Sequence, residues 1–369
     1  MKIMPIFGTR PEGIKMAPLV KLLKEDPSFS CVFVNTAQHR EMLDQVLDLF
    51  DLTPDYDLNI MKEKQTPEGV TAQIITELSS ILDQEKPDLV LVHGDTTTTF
   101  AGAYAAFLKK IPVGHVEAGL RTGDISSPFP EEANRQLVGR IASYHFSATE
   151  KNKENLLKEG VDPSSIAVVG NTVIDALLST VNKPFTYSSE LQPIIDRGHK
   201  IILMTTHRRE NLEQLTGIYT AINDLMEKHD DIELVFPVHK NPAVRAQVEK
   251  GLKNNPRVHL VEPLDYETFA HLMKDSYFII SDSGGIQEEA PALGKPVLVA
   301  RTNTERPEGV TAGTLKLVGT EASVIFTEAD ALLSNPATYQ QMSEAKNPYG
   351  DGTSSQQIIS FIKQQEKRS

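Results

Sequence analysis

The sequence predicts an α/β protein with two Rossmann-like lobes, each built on a doubly wound parallel sheet. Three observations lead to this fold class. Apolar, β-branched runs of strand length recur along the chain, helix-like segments separate nearly every pair of runs, and 369 residues exceed one ordinary core. Strands that are buried on both faces and joined by helical crossovers form parallel sheets. We expect ligands to bind in a cleft between the lobes, at the carboxyl ends of the strands.

The predicted strands and helices alternate from the first residues onward. The strand-like runs are KIMPIFG, CVFVNTA, PDLVLVHGD and IPVGHVEA, followed by SIAVVGN, KIILMTTH, IELVFPVH, RVHLVEP, YFIISDSGG and KPVLVAR. Apolar spacing near 3.6 residues predicts helices over residues 15–24, 40–50, 71–83, 98–109, 212–228 and 266–274. Residues 179–200, rich in Pro, Ser and charge, are predicted to be a linker or a surface excursion.

Composition excludes several classes of protein. With 40% hydrophobic and 24% charged residues the chain is typical of soluble globular proteins, and no apolar run reaches the roughly 18 residues of a membrane span. The N-terminal segment MKIMPIFGTRPEG lacks the pattern of a secretory signal, so we expect a cytoplasmic protein. A net charge of −13 opposes nucleic-acid binding. The single cysteine, Cys31, lies in an apolar run and is predicted to be a packed thiol.

Carboxylates follow two of the predicted strands and begin the next helix. Asp95 ends LVLVHGD and Glu117 ends IPVGHVE, so both should lie at one edge of the sheet and serve in acid–base chemistry. Asp95 is equally consistent with a helix N-cap before TTTT. Glu131 and Glu132 would occupy the first helical turn, where acids favour the helix dipole, and Glu131 is spaced to pair with Arg135.

The second half of the sequence combines a small-residue turn with several cations. Ser283, Gly284 and Gly285 follow a strand and precede a helix expected to begin near Ile286, so their N–H groups could cradle a phosphate. By analogy with other nucleotide sites, Glu289 could accept hydrogen bonds from a ribose diol. The cations predicted at the carboxyl ends of strands in this lobe are His207, Arg208, Arg209, His239 and Arg306.

Two common nucleotide motifs are missing. No G-x-G-x-x-G follows a strand and no G-x-x-x-x-G-K-[ST] occurs, which argues against bound NAD and P-loop hydrolysis. The first turn, FGTRPEGIKMAP, places Arg10 and Lys15 beside a glycine instead. His93 and His115 each precede an acid by two residues, and we favour hydrogen-bonding or structural roles for them over metal binding.

The ordered set FGTRPEGIKMAPLV, TAQHREMLDQVL, LVHGDTTTT, PVGHVEAGLRTGD, PEEANRQL, HRRENL, DSGGIQEEAP, TERPEGVTAGT and NPYGDG resembles bacterial non-hydrolysing UDP-N-acetylglucosamine 2-epimerases. The resemblance implies a glycosyltransferase-B type fold with an N-terminal lobe over 1–170, a C-terminal lobe over 171–352 and a helix over 353–369 that returns to the N-terminal lobe. It implies homodimers. It also implies the interconversion of UDP-GlcNAc and UDP-ManNAc without a cofactor, a reaction that supplies ManNAc for cell-surface polysaccharide.

The resemblance also implies roles for individual residues. The catalytic set it implies is Asp95, Glu117, Glu131 and His207. The positions it implies around UDP are Arg10, Lys15, Arg208, Ser283, Gly284, Gly285, Glu289 and Arg306. A second UDP-GlcNAc molecule activates bacterial members, and the positions matching that allosteric site are Gln38, Glu41, Lys64, Glu131, Arg209 and His239. Glu41 and Lys64 stand where some allosteric relatives have Gln and Arg, and Gly13 replaces a usual Ala.

Three other functions remain open. A glycosyltransferase of the same architecture would bind a nucleotide sugar and require an acceptor. A hydrolysing epimerase would release free ManNAc and UDP. A nucleotide-sugar sensor would bind without turnover.

Overall fold

The computed structural model describes residues 1–62, 65–206, 215–238, 242–252 and 255–367. The chain divides into two compact units. Unit 1 comprises Met1–Ala176 together with Tyr349–Ser369, and unit 2 comprises Leu177–Pro348. Each unit is a parallel sheet flanked by helices, which confirms the predicted fold class.

The described part of unit 1 contains an eight-stranded parallel sheet in the order β4-β3-β1-β5-β6-β7-β8, with β2 paired to β1. Its strands are β1 (Lys2–Phe7), β2 (Ser30–Cys31), β3 (Val34–Asn35), β4 (Tyr56–Asp57), β5 (Leu89–His93), β6 (Val113–Val116), β7 (Tyr144–Ser147) and β8 (Ile166–Val168). Because β1 lies between β3 and β5, the strand order reverses direction beside β1. Ligands of open α/β sheets bind at such a switch point.

Helices cover this sheet and carry much of its core. They are α1 (Arg10–Glu25), α2 (Arg40–Leu49), α3 (Pro67–Glu85), α4 (Thr97–Leu108), α5 (Glu131–Ile141), α6 (Glu150–Lys158) and α7 (Thr172–Val181), which spans the division between the units. Helix α16 (Ser354–Glu366) returns to unit 1 and packs against α1. There Lys363 Nζ donates to Asp26 Oδ2 at 2.6 Å.

The described part of unit 2 contains a six-stranded parallel sheet in the order β11-β10-β9-β12-β13-β14. Its strands are β9 (Lys200–Thr205), β10 (Ile232–Pro237), β11 (Val258–Val261), β12 (Phe278–Ser281), β13 (Val297–Val299) and β14 (Leu315–Leu317). Its helices are α8 (Gln192–Ile195), α9 (Leu215–Lys228), α10 (Pro242–Gly251), α11 (Tyr266–Asp275), α12 (Gly284–Glu289), α13 (Pro307–Ala312), α14 (Ala322–Ser334) and α15 (Pro336–Ser343).

Both faces of the unit 2 sheet are buried, as the continuous apolar strands predict. In β9, Ile202 and Met204 join one hydrophobic cluster while Ile201 and Leu203 join another. Successive side chains of a strand point to opposite faces, so the two clusters lie on opposite sides of the sheet. This is the arrangement of a doubly wound fold.

Helix boundaries differ from the periodicity-based predictions mainly at N-termini. Helix α1 begins at Arg10 rather than at residue 15, because Thr9 and Glu12 form a capping box and Pro11 occupies the first turn. Helix α3 begins at Pro67 rather than at residue 71, with Thr66 as its N-cap. Capping residues and prolines determine where these helices begin, whereas apolar spacing detects only the residues on the buried face of a helix.

The segment expected to be a linker contains ordered structure. The end of α7 and all of α8 lie within residues 179–200, and Leu191 and Ile194 are buried in the core of unit 2. The Phe185 ring stacks on His271 of α11 with centroids 4.2 Å apart. Apolar anchors therefore hold a polar segment onto unit 2. Among the residues that the structure describes, no helix has the length and apolar character of a membrane span.

Candidate functional site

The carboxyl ends of β5 and β6 bring Asp95 and Glu117 together in unit 1. The two strands pair in parallel, with His93 opposite Val116, and each acid follows its strand by one or two residues. Burial raises the pKa of Asp95, and the negative charge of the neighbouring Glu117 raises it further. The sequence-based expectation that these two acids lie at one edge of the sheet agrees with this geometry.

Glu117 is held by its backbone and by neighbouring donors. Its φ is +63°, in the left-handed region that a residue other than glycine occupies at a cost of roughly 1–3 kcal/mol. The Lys15 ammonium contacts Oε2, and Asn171 Nδ2 donates to the same oxygen at 3.2 Å. His93 Nε2 lies 3.7 Å from it. A strained turn with this set of contacts fixes where the carboxylate points.

Asp95 is held by helix α5. Arg135 Nη2 lies 2.5 Å from Asp95 Oδ2, and Asn134 Nδ2 donates to the Asp95 carbonyl at 2.8 Å. Burial raises the pKa of Asp95, and the positive charge of Arg135 opposes that rise. The alternative that Asp95 caps the following helix is wrong, because Thr96 is the N-cap of α4 and accepts from Thr99 N at 3.1 Å.

The two acids that begin α5 differ in environment. Glu131 is partly exposed, whereas the Glu132 side chain is fully buried. Glu132 accepts from Thr122 N at 3.2 Å and from Gln136 Nε2 at 3.0 Å. Arg135 pairs with Glu132, three residues earlier, rather than with Glu131 as the helical spacing predicted. The reason is that the Arg135 side chain turns inward toward the buried acid and Asp95.

The histidines beside these acids are buried and neutral. His115 Nε2 lies 2.7 Å from the Gly94 carbonyl, and burial lowers the pKa of His115 to about 3. Burial likewise lowers the pKa of His93 to about 4. In the described part of the chain, no three His, Cys, Asp or Glu side chains are arranged to hold a metal ion. His115 thus has a hydrogen-bonding contact, whereas His93 Nε2 is buried without a hydrogen-bond partner among the described residues.

Sequence reasoning missed Glu12, which ties two loops of the site together. Its Oε2 accepts from Thr9 N at 2.9 Å, and its Oε1 accepts from Thr96 Oγ1 at 2.7 Å and Thr99 Oγ1 at 3.0 Å. Burial raises the pKa of Glu12. The capping-box pattern Thr9-x-x-Glu12 is the signal that could have found it. Arg10 and Lys15 lie on α1, which begins directly after Thr9.

The small-residue turn of unit 2 lies beside a cation. Helix α12 begins at Gly284 rather than near Ile286, with Ser283 as its N-cap. The Arg306 guanidinium is so close that a Cβ on Gly284 would lie 3.3 Å from its Cζ. Arg306 Nε also donates to Glu288 Oε1 at 2.8 Å. The structure thus brings Arg306 together with the turn, and Glu289 is buried at the end of the same short helix.

Several predicted positions lie outside the described residues: Lys64, His207, Arg208, Arg209 and His239. Of the remaining positions predicted for a second nucleotide, Gln38 Oε1 accepts from Thr98 Oγ1 at 2.8 Å. Glu41 is exposed in the first turn of α2. Gln38 therefore contacts the helix that follows Asp95.

Comparison with known proteins identifies the family. Residues 21–363 match the family model for UDP-N-acetylglucosamine 2-epimerase. A UDP-N-acetylglucosamine 2-epimerase of Bacillus subtilis is 53% identical over 362 residues, which cover 97% of this chain and 94% of that protein.

Solved structures give the same result. A crystal structure of a UDP-N-acetylglucosamine 2-epimerase from Listeria monocytogenes has a TM-score of 0.95 at 49% identity, covering 100% of this chain and 97% of that one. The Neisseria meningitidis UDP-GlcNAc 2-epimerase bound to UDP-GlcNAc has a TM-score of 0.85 at 48% identity, covering 99% and 100%. The fold, the matched residues and these relatives together show that the chain belongs to the UDP-N-acetylglucosamine 2-epimerase family.

Proposed function

We propose that the protein catalyses the reversible epimerisation of UDP-GlcNAc at carbon 2 to give UDP-ManNAc. The observation that carries this proposal is the juxtaposition of Asp95 and Glu117, one acid held by Arg135 and the other by Lys15 and Asn171. Family membership supports the substrate, because relatives of nearly the same length carry this activity in their names.

The chemistry of the substrate explains why several proton carriers are needed. No carbonyl adjoins carbon 2, so its proton is weakly acidic in the intact sugar. Breaking the bond between carbon 1 and the UDP oxygen leaves an oxocarbenium-like centre that acidifies the neighbouring proton. Loss of that proton gives 2-acetamidoglucal, and return of UDP with protonation from the opposite face gives the epimer. Two protonic groups on opposite faces are therefore required.

The described acids of unit 1 are the candidates for these groups. We assign Asp95, Glu117 and Glu131 to proton transfer and to stabilisation of the positive sugar, with His207 assisting at the diphosphate. Glu117 shares Oε2 with Lys15, whose charge favours the carboxylate form and whose proton is within reach. The Arg135 charge acts on Asp95 in the same sense. Glu117 and Asp95 therefore each have a positively charged partner before substrate binds.

The diphosphate requires positive charge and N–H donors, because UDP carries negative charge as it departs. In unit 2, the turn Ser283–Gly285 at the start of α12 and the nearby Arg306 have this character. We assign them to UDP, together with Arg10, Lys15, Arg208 and Glu289. Lys15 therefore has two proposed partners. Its ammonium is assigned to UDP, and it also contacts the Glu117 carboxylate in unit 1.

We also propose that the protein is a cytoplasmic homodimer. An aromatic row on α4 supports self-association, since Phe100, Tyr104 and Phe107 stack with centroids 6.0 and 6.4 Å apart. Phe107 is 54% exposed and Leu137 of α5 is 48% exposed. Contiguous apolar surface of this kind is typical of interfaces. Light scattering should give a dimer for the native chain and a monomer for Phe107→Glu, while an unchanged mass would contradict this interface.

Activation by a second UDP-GlcNAc molecule is a further part of the proposal. Gln38, Glu41, Lys64, Arg209 and His239 are the positions assigned to that site, and Glu131 also matches it. Initial rates with UDP-ManNAc alone should be low and should rise when a small amount of UDP-GlcNAc is added. Equal initial rates with and without UDP-GlcNAc would contradict the activation.

The decisive experiment is proton NMR of the purified protein with UDP-GlcNAc in heavy water. Epimerisation by elimination and re-addition predicts an equilibrium mixture of UDP-GlcNAc and UDP-ManNAc, both carrying deuterium at carbon 2. Free ManNAc and UDP would instead identify a hydrolysing epimerase. An unchanged spectrum despite binding would favour a glycosyltransferase awaiting its acceptor or a sensor.

A further inference from the structure

Arg135 connects the buried acid Glu132 to Asp95, which is half-buried at the edge of the site. Its Nη1 donates to Glu132 Oε2 at 3.1 Å, and its Nη2 lies 2.5 Å from Asp95 Oδ2. The exposed fraction of the side chain falls from 23% for Asp95 to 11% for Arg135 and 0% for Glu132. The three groups form a line from the site into the interior of unit 1, which we call the Arg135 bridge.

The inner end of the bridge is fixed to the fold. Glu132 accepts from the Thr122 backbone N–H and from Gln136 Nε2, so its carboxylate has little freedom to turn. A buried guanidinium paired at one end with such an acid presents its other N–H groups in a set direction. Asn134, on the same helix, holds the Asp95 backbone by donating to its carbonyl at 2.8 Å. Helix α5 thus contacts both the main chain and the side chain of Asp95.

We propose that Arg135 is a positioning residue, anchored by Glu132, that sets the orientation and the charge state of the Asp95 carboxylate during the epimerisation. The inference rests on the proposed function, because it assigns Asp95 a role in that reaction. It adds Arg135 and Glu132, which need not contact the substrate, to the residues on which the reaction depends.

Other charges also act on Asp95, so the effect of Arg135 must be separated from theirs. Among the described residues, Glu117 at the end of β6 raises the pKa of Asp95, and Lys15 of α1 lowers it. Burial raises the pKa most, and Arg135 has the largest opposing effect. Neutralising Arg135 removes a positive charge next to a carboxyl group. The pKa of Asp95 must then rise.

The test must remove the charge without leaving a buried acid unpaired. Arg135→Gln alone would strand the Glu132 carboxylate in the interior and could unfold the protein. The double variant Glu132→Gln/Arg135→Gln replaces the ion pair with two neutral amides, so the interior stays hydrogen-bonded while Asp95 loses its cation. Arg135→Lys keeps the charge and serves as the conservative variant.

The measurement is the pH profile of kcat/KM for epimerisation. The limb governed by Asp95 should move to higher pH in the double variant, because the lost Arg135 charge contacts Asp95 whereas the lost Glu132 charge lies beyond it. The movement should be smaller than the roughly 1 to 3 pH units by which an adjacent cation alone lowers an aspartate pKa. Arg135→Lys should restore most of the native profile. In the Asp95→Asn background, the double substitution should cause no further change in the profile.

A matched ion pair elsewhere in unit 1 provides the control. Arg121 is 8% exposed and contacts Glu159 at 2.7 and 3.0 Å, away from Asp95. Glu159→Gln/Arg121→Gln should lower stability without moving the pH limb. If the native protein is active and the pH limb governed by Asp95 does not move in the Glu132/Arg135 double variant, this inference alone is overturned. Absence of epimerisation in the native protein would overturn the proposed function and this inference with it.

Discussion

Asn171 donates its amide to Glu117 Oε2 at 3.2 Å, joining positions 54 residues apart in the sequence. The same side chain accepts from Val173 N at 3.0 Å, and the Asn171 backbone N–H donates to the Tyr349 carbonyl at 2.7 Å. Asn171 therefore links the Glu117 carboxylate to the place where the chain re-enters unit 1. One amide serves both the site and the scaffold.

Asn171→Asp tests this link with little change of shape. The new carboxylate can still accept from Val173 N, but it replaces a donor with a negative charge beside Glu117. A like charge raises a carboxyl pKa, so the kcat/KM limb governed by Glu117 should move to higher pH by roughly 1 pH unit or more. Asn223→Asp, at a half-buried amide of unit 2 that donates to the Gly251 carbonyl, is the control. An unmoved limb in Asn171→Asp would argue against the link.

Glu117→Gln separates a catalyst from a sensor. The amide has the same shape but cannot accept a proton, so epimerisation should fall by about 100-fold or more, the usual contribution of an acid–base group. UDP affinity, measured by calorimetry, should be retained because the proposed UDP contacts of unit 2 are untouched. Native-like turnover in this variant would exclude Glu117 from proton transfer.

Acidification should destabilise unit 1 through its buried histidines. Burial lowers the pKa of His93 and of His145 to about 4, and that of His115 to about 3. An unfolded histidine binds its proton near pH 6.5, so the stability is complete above that pH and is lost as the pH falls toward the folded-state values. Each histidine contributes up to about 1.4 kcal/mol per pH unit in that window.

Urea unfolding followed by circular dichroism suits this test, because the chain has no tryptophan. The free energy of unfolding should fall between pH 7 and pH 5, and His145→Gln should make that fall shallower. His39, whose side chain is exposed, is the control, and His39→Gln should leave the slope in place. Glu12 works in the opposite direction, since its raised pKa favours the folded state at low pH. A slope unaffected by His145→Gln would refute the assignment.

Gly13→Ala should destabilise the protein despite the better helix propensity of alanine. A Cβ at Gly13 would lie 2.4 Å from Leu43 Cδ1, and Leu43 is fully buried. Overpacking of this kind costs about 1–3 kcal/mol, against a gain of roughly 0.5–1 kcal/mol from replacing a helical glycine.

The compensating change is Leu43→Val, which removes the methyl group in the way. In a double-mutant cycle on the free energy of unfolding, Gly13→Ala should cost less in the Leu43→Val background than in the native one. Additive effects would mean that α2 accommodates the extra methyl group without strain.

Residue positions that follow from the pairing of strands could be predicted from the sequence. Contacts that depend on the direction of a side chain could not. Asp95 and Glu117 could be placed together because parallel neighbouring strands end at one edge of a sheet. The partner of Arg135 could not be predicted, because helical spacing offers Glu131 and Glu132 alike and only packing decides between them. Asn171 left no signal, since its contact with Glu117 depends on where β8 and α7 meet β6 in three dimensions.

The return of α16 to α1 has a consequence for biosynthesis. Unit 2 is continuous in sequence, whereas unit 1 includes residues made after the whole of unit 2. During translation Tyr349 and α16 are therefore made after the whole of unit 2, and until then the Asn171 N–H and the Asp175 carboxylate lack their partners Tyr349, Ser354 and Ser355. Domains usually complete their folding in order of synthesis. Here the first-made unit becomes complete only after the second.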